Sequence, residues 1–223
     1  MESSVEFKNI CKIFPGVKAL DNVSFTARGG EVVAICGENG AGKSTLLKVL
    51  NGDYQADSGE YLINGKRVHF NSPNEAIAAG VSIIYQERQI VPFLSVAENI
   101  FMENLPTKGG LIDRKKLRED TQKILDEFQL PIKPMEPVRN LSIAHQQMVE
   151  IMKAYRRNPQ IIAFDEPTAS LSDSEINILF KLIEELRSRG IIILYVSHRM
   201  KEIFEIAQQI VIMKDGKFVV QKK

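Results

Sequence analysis

The residues between positions 37 and 45 have the types and spacing of a phosphate-binding loop. In order they are Gly37, Glu38, Asn39, Gly40, Ala41, Gly42, Lys43, Ser44 and Thr45. Because glycine has no Cβ atom, the backbone of such a loop can wrap closely around phosphate oxygens. The ammonium group of Lys43 is expected to reach the terminal phosphates, and the hydroxyl of Ser44 to bind Mg²⁺. This stretch therefore predicts a site for the phosphates of a nucleotide.

Acidic side chains follow an apolar segment much later in the chain. Asp165 and Glu166 come directly after Ile161–Phe164, which has the pattern of a buried strand. Open parallel sheets bind ligands at the carboxyl ends of their strands, and an aspartate there suits Mg²⁺, held directly or through water. Adjacent side chains of an extended chain point to opposite sides, so Glu166 is expected to meet an attacking water. The alternative for Glu166 is a solvated surface carboxylate.

Two further polar residues stand at the ends of apolar segments. His198 follows Ile191–Val196, and Gln86 follows Val81–Tyr85. A lone histidine is usually structural, but its place at the same predicted sheet edge favours a functional role. Gln86 is able to sense the metal or the water, although it is a weak signal when taken alone.

The elements that must position these residues have recognisable patterns. The apolar run Val32–Cys36 predicts a buried strand before the loop, and Leu46–Leu50 predicts a helix after it. A helix N-terminus presents unpaired N–H groups and a partial positive charge, which both attract phosphate. A glycine-rich turn without function is the alternative, and the order of strand, loop and helix favours the nucleotide site.

The start of the chain predicts an antiparallel β layer, and its middle predicts a helical lobe. Strand patterns occur at Val5–Ile10 and Val23–Ala27, and Phe14 between them is equally compatible with the core and with stacking on a base. Within the middle segment, apolar residues recur at helical spacing. We therefore expect one domain over 1–223, with an α/β core at about 1–88 and 156–223 and an inserted helical lobe at about 89–155.

Composition narrows the possible partners. The 223 residues include 29 basic and 28 acidic side chains, a net charge of +1, which gives no basic footprint for nucleic acid. Cys11 and Cys36 do not suggest a disulfide framework, so a reducing, cytoplasmic setting is expected. The N-terminus lacks the pattern of a signal peptide. The apolar runs are all far shorter than the length of about 20 residues that a helix needs to span a bilayer.

These motifs occur in an order that resembles the ATP-binding cassette (ABC) ATPase domain across essentially the whole chain. They are Gly37–Thr45, Tyr85-Gln86-Glu87, Leu141-Ser142 before Gln146-Gln147, Asp165-Glu166-Pro167-Thr168 and Ser197-His198. Further segments resemble the first cassette of bacterial monosaccharide importers of the ribose, galactose and arabinose type. These segments are 14–20, 76–80, 97–101 and 197–202. The resemblance implies an α/β P-loop NTPase core with a mostly parallel sheet, an N-terminal antiparallel β layer and an inserted helical lobe.

The resemblance also implies ATP and Mg²⁺ as ligands and a role for each matching residue. Phe14 matches the aromatic residue that stacks on adenine, and Gln86 matches the glutamine that touches Mg²⁺ and links the site to the helical lobe. Asp165 supports the metal together with Ser44. Glu166 polarises the attacking water, and His198 contacts the γ-phosphate. Positioned charges and an oriented water are what phosphoryl transfer requires.

In this family each site is shared between two cassettes, and here the sequence departs from the common pattern. Ser142 and its neighbours are expected to close over ATP bound to the opposite cassette. The usual Leu-Ser-Gly-Gly-Gln is replaced by Leu141-Ser142-Ile143-Ala144-His145, and Ser172 stands where an aspartate is usual. A methyl group at Ala144 would strain or lengthen a close backbone contact with phosphate. We therefore expect faster hydrolysis at the Lys43–Glu166 site than at the reciprocal site.

The resemblance implies an ATP-hydrolysing subunit that drives sugar import from the cytoplasmic face of the membrane. The implied partners are a second cassette, in tandem or in a homodimer, a membrane permease and, indirectly, a periplasmic or extracellular sugar-binding protein. One alternative is a soluble, non-transport ABC ATPase, which would need a long insertion, a coiled-coil arm or a basic surface. The other is a small-molecule kinase, but Asp165-Glu166 followed by Ser197-His198 favours water as the acceptor.

Overall fold

A computed structural model describes residues 3–222 and contains one large mixed sheet. The strands are β1 (Ser4–Phe14), β2 (Val17–Arg28), β3 (Val32–Cys36), β4 (Ser58–Ile63), β5 (Lys66–Val68), β6 (Val81–Ile84), β7 (Thr107–Lys108), β8 (Leu111–Ile112), β9 (Ile161–Asp165), β10 (Ile192–Val196), β11 (Gln209–Lys214) and β12 (Lys217–Lys222). The helices are α1 (Lys43–Leu50), α2 (Pro73–Ala78), α3 (Val96–Ile100), α4 (Arg114–Glu127), α5 (Ile143–Arg156), α6 (Asp173–Ser188) and α7 (Met200–Ile206), with a 3-10 turn at Val138–Asn140.

The strand order of the ten-stranded sheet is β5-β4-β1-β2-β12-β11-β3-β10-β9-β6. The run from β11 to β6 is parallel, and every residue of β3, β9 and β10 is buried, as expected for strands covered on both faces. In this register Val196 lies beside both Ile35 and Asp165. The ends of these three strands therefore meet at one edge of the sheet.

The N-terminal strands form the antiparallel part of the same sheet. β1 pairs with β2 and β4, and β5 extends β4 through the tight turn at Asn64 and Gly65, both at positive φ. Phe7 of β1 stacks on Phe25 of β2, with ring centroids 4.6 Å apart. The predicted α/β class, with its mostly parallel sheet and N-terminal antiparallel strands, is confirmed.

The described residues divide into two compact units. The first contains the residues up to Gln86, Pro159–Pro167 and the residues from Ile183 onward, and it holds the whole ten-stranded sheet. The second contains Glu87–Asn158 and Thr168–Leu182. Our predicted lobe, 89–155, differs from this division at Thr168–Leu182. Thr168–Leu182 thus belongs to a unit from which it is distant in the chain, a grouping that sequence spacing does not reveal.

The second unit is mainly helical. Its helix α3 packs against both α4 and α5, and Ser95 and Glu98 form a reciprocal capping box at the start of α3. Such a cap satisfies backbone N–H groups that the first turn of a helix leaves without partners. Within residues 3–222, no helix combines the length and the apolar character needed to span a bilayer.

Candidate functional site

Two glycines in the phosphate loop occupy positions that a side chain would not fit. Gly42 has φ of 96° and caps the N-terminus of α1, and an added Cβ would lie 2.4 Å from the carbonyl oxygen of Ala19. At Gly37 an added Cβ would lie 2.3 Å from the carbonyl oxygen of Met213. Both distances are far below van der Waals contact, so the close approach of these backbones requires glycine.

Lys43 lies inside the loop rather than extending away from it. The residue is buried, with 6% of its surface exposed. Its Nζ donates hydrogen bonds to the carbonyl oxygens of Gly37, at 2.8 Å, and Glu38, at 3.0 Å. The loop also closes on itself through a hydrogen bond from the Ala41 N–H to Glu38. The ammonium group is thus held next to the N-terminus of α1, where anions are stabilised.

Ser44 and Asp165 meet at the neighbouring position. Ser44 Oγ donates to Asp165 Oδ1 over 3.2 Å, which joins the start of α1 to the end of β9. Burial raises the pKa of the Asp165 carboxyl, and the nearby Glu166 charge adds to this effect, whereas the bond from Ser44 and the charge of Lys43 oppose it. Mg²⁺ prefers oxygen ligands and binds through one or two carboxylates plus substrate phosphates and water. A hydroxyl and a carboxylate at this spacing fit such an ion.

Glu166 does not continue the strand, and our prediction of an extended conformation here is wrong. Its φ is 49°, in the left-handed region that non-glycine residues rarely adopt. Its N–H still donates to the carbonyl of Val196, at 3.0 Å, so the chain leaves the sheet only after that last bond. Left-handed conformations of ordinary residues cost about 1–3 kcal/mol and cluster at functional sites.

The turn at Glu166 brings its carboxylate to His198. Glu166 Oε1 and His198 Nδ1 are 3.0 Å apart, and the two side chains are 20% and 53% exposed, respectively. The predicted meeting of these residues at one sheet edge is therefore observed in the first unit. Asp165, the chain neighbour of Glu166, is hydrogen-bonded to Ser44 of the phosphate loop.

The remaining predicted residues occupy three different places. Phe14 ends β1, is half-buried, and packs edge-on against Tyr54 with ring centroids 5.2 Å apart. Gln86 is exposed just beyond β6, the strand that pairs with β9. Ser142 lies in the second unit, where it is exposed and caps α5 by accepting a hydrogen bond from the His145 N–H at 3.3 Å.

The methyl group of Ala144 does not share the exposed surface of Ser142. Ala144 is 2% exposed, whereas the adjacent Ile143 is 40% exposed. The methyl group therefore lies inside the second unit. The steric argument that we attached to this substitution gains no support from this placement, and Ile143 is the altered signature residue that faces solvent.

Two hydrogen-bonded groups near the site were not singled out from the sequence. Tyr85 donates to Asp53 at 2.8 Å, and the Asn51 amide donates to both of them at 2.9 and 2.8 Å. Burial, reinforced by the bond to Asp53, raises the pKa of the Tyr85 hydroxyl. The second group centres on Glu202, four residues after His198. It lies in the first turn of α7, which begins only at Met200, so no helical spacing relates it to His198.

Comparisons with known proteins identify the family of this chain. The ABC transporter family model matches residues 20–169. The arabinose import ATP-binding protein AraG of Yersinia pestis is 54% identical over 213 residues, which cover 96% of this chain and 41% of AraG. AraG of Vibrio parahaemolyticus is 55% identical, over 97% of this chain and 43% of the relative. A protein of Agrobacterium fabrum, named as a ribose/galactose/methyl galactoside import ATP-binding protein, is 49% identical. That match covers 96% of this chain and 43% of the relative. The chain thus spans less than half the length of these relatives.

Solved structures lead to the same family. A nucleotide-free ATP-binding cassette from an ABC transporter superposes with a TM-score of 0.88 and 28% identity, over 100% of this chain and 92% of that one. An ATP-binding cassette of an ABC transporter in its ADP conformation superposes with a TM-score of 0.87 and 28% identity. The match covers 100% of this chain and 91% of that one. With the family model matching more than half of its residues, this chain belongs to the ABC transporter family.

Proposed function

We propose that this chain binds ATP with Mg²⁺ and hydrolyses the ATP, as one cassette of a sugar importer. The observation that carries the proposal is the Ser44–Asp165 hydrogen bond, whose two residues are the chain neighbours of Lys43 in the phosphate loop and of Glu166 in the Glu166–His198 pair. A cation, a metal-binding pair and a carboxylate near a histidine are the parts that phosphoryl transfer to water requires. Hydrolysis is tested by measuring phosphate release from the assembled transporter, both unaltered and with Glu166→Gln.

Each residue has one task in this proposal. The loop N–H groups, the N-terminus of α1 and Lys43 hold the terminal phosphates of ATP. Ser44 and Asp165, with Gln86, hold Mg²⁺, which when bound neutralises phosphate charge. Glu166 orients a water and accepts its proton as the water oxygen bonds to the γ-phosphorus. The bond from that phosphorus to the bridging oxygen breaks, leaving ADP and inorganic phosphate, while His198 contacts the γ-phosphate.

Sugar import is proposed from the relatives. Those named above are import ATP-binding proteins for arabinose or for ribose and galactose, and they are about half identical to this chain. We place the cassette at the cytoplasmic face of the membrane, where ATP is supplied. It acts there with a second cassette and a membrane permease, and a sugar-binding protein delivers the sugar to the permease.

The isolated chain is expected to bind ATP but to hydrolyse it slowly. In the proposed arrangement each ATP also needs Ser142 of another cassette, which two separate copies supply only when they associate. The specific ATPase activity should therefore rise with protein concentration, in proportion to the dimeric fraction. Phosphate release measured over a dilution series checks this, and robust activity that is independent of concentration would contradict it.

Phe14→Ala is expected to weaken ATP binding about tenfold, because stacking of a base on an aromatic side chain contributes about 1–3 kcal/mol. The half-buried ring contacts Tyr54 edge-on and lies under the Lys12 ammonium, 5.5 Å from the ring centroid, and neither partner belongs to the phosphate loop, so we expect the loop to stay intact. Calorimetric titration with ATP measures the effect, and inorganic tripolyphosphate, which has no base, is the matched control. An equal loss of affinity for both ligands would show that Phe14 supports the loop instead.

A further inference from the structure

We propose that Glu202 is a positioning residue, which fixes the loop that carries His198 in the geometry needed for ATP hydrolysis. The inference rests on the proposed function, because it gives His198 a task to be positioned for. Glu202 lies in the first turn of α7 and is 5% exposed. A buried carboxylate is costly unless donors surround it, so its partners indicate what it is there to hold.

The donors to Glu202 come from both sides of His198. Ser197 Oγ donates to Glu202 Oε2 at 3.1 Å, and Arg199 Nη1 donates to Glu202 Oε1 at 3.1 Å. A third donor, Tyr195 Oη, reaches Oε2 at 3.0 Å from the buried strand β10. The two carboxylate oxygens thus tie the residues immediately before and after His198 to a strand of the core.

The backbone of the loop is tied to the same carboxylate through a hydroxyl. The Arg199 N–H donates to Ser197 Oγ at 3.0 Å, and that hydroxyl donates in turn to Glu202. A serine hydroxyl has one proton to donate, so the acceptance from Arg199 and the donation to Glu202 are made at the same time. Ser197 is 2% exposed, whereas the His198 side chain is 53% exposed. The loop is anchored beneath His198, and its imidazole is left accessible to a ligand.

A simpler explanation is that Glu202 stabilises α7 as an acid in the first helical turn. An exposed carboxylate in the first turn performs that task equally well. The simpler explanation does not account for the burial of Glu202 or for its hydrogen bonds to Tyr195 and Ser197. These contacts are directed at the strand and loop that lead to His198.

The test is Glu202→Gln in the full-length protein assembled with its permease. The amide keeps the size of the side chain. It replaces one acceptor oxygen with an N–H₂ group, which cannot accept the hydrogen bonds that Tyr195, Ser197 and Arg199 donate. We expect kcat for ATP hydrolysis to fall about tenfold or more, because small misplacements of catalytic groups have effects up to about 100-fold. The affinity for ATP should change less than about twofold, since the phosphate loop is untouched. Glu205→Gln, in the same helix but exposed, is the matched control and should leave kcat unchanged.

Repeating the test in a His198→Ala variant distinguishes a positioning role of Glu202 from a general loss of protein stability. In His198→Ala, single-turnover hydrolysis should be insensitive to Glu202→Gln, because residues that act as one unit are not additive. The inference is overturned if Glu202→Gln leaves kcat unchanged, or if it lowers the rate by the same factor with and without His198. Should Glu202→Gln not fold, as judged by thermal unfolding and ATP binding, Ser197→Ala removes the same link and must lower kcat in the same way.

The same measurements distinguish this inference from the proposed function. If the unaltered transporter hydrolyses ATP and Glu166→Gln abolishes hydrolysis, the proposed function stands whatever Glu202 does. If the unaltered transporter does not hydrolyse ATP, both fail together.

Discussion

Glu166→Gln should reduce ATP turnover of the assembled transporter about 100-fold or more, because a positioned general base contributes about 10²–10⁴-fold. The amide cannot accept the proton of the attacking water, yet it keeps the size of the side chain. ATP binding should change little, since Glu166 takes no part in the hydrogen bonds of Lys43 and Ser44. Steady-state phosphate release and equilibrium ATP titration measure the two quantities separately.

A matched control for this prediction is Glu60→Gln, an equally conservative change of a carboxylate on β4. Glu60 pairs with Arg67 on the neighbouring strand, away from the Glu166–His198 pair. Its replacement should leave turnover at the level of the unaltered protein. Near-normal turnover of Glu166→Gln would rule out Glu166 as the base, even if every other part of the site were correct.

Lys43→Met should weaken ATP binding about tenfold to 100-fold, because hydrogen bonds to charged groups contribute about 1.5–3 kcal/mol. Methionine keeps most of the apolar side chain and removes the ammonium group. The loss has two parts: the phosphates lose a cation, and the carbonyls of Gly37 and Glu38 lose the donor that holds the loop. Calorimetric titration with Mg²⁺ and ATP measures the change.

Adenosine is the control ligand for Lys43→Met, because it has the base and the sugar of ATP but no phosphates. Its affinity should be the same for the variant and the unaltered chain. An ATP affinity that stays within about twofold would remove Lys43 from the phosphate site. An equal loss for adenosine and ATP would instead indicate a collapsed loop.

The sequence predicts the phosphate loop and the sheet edge because both follow from local patterns. An apolar strand, a glycine-rich loop and a helix specify the surroundings of Lys43, and the parallel register then places Asp165 next to Val196. The left-handed turn at Glu166 was missed because alternation along a strand describes only extended chains, and no glycine marks the position. The contact between Glu166 and His198 follows from that turn.

Contacts between distant segments were beyond what the sequence alone could predict. Phe14 is equally compatible with core and ligand contact by its position, and only the structure shows its half-buried ring against Tyr54. Likewise Ala144 is an altered signature residue in the sequence, but its burial becomes visible only once α5 is packed. Glu202 was missed because an acid in the first turn of a helix is usually a solvated one.

The most direct test of the central claim is the identity of the nucleotide retained by the Glu166→Gln transporter. The transporter is loaded with Mg²⁺ and radiolabelled ATP, separated rapidly from free nucleotide, and the bound label is resolved by chromatography. If the Lys43 site holds ATP and Glu166 activates the attacking water, the retained nucleotide is intact ATP, whereas the unaltered transporter yields ADP. If the variant converts its bound ATP to ADP as fast as the unaltered transporter does, the result would contradict the account.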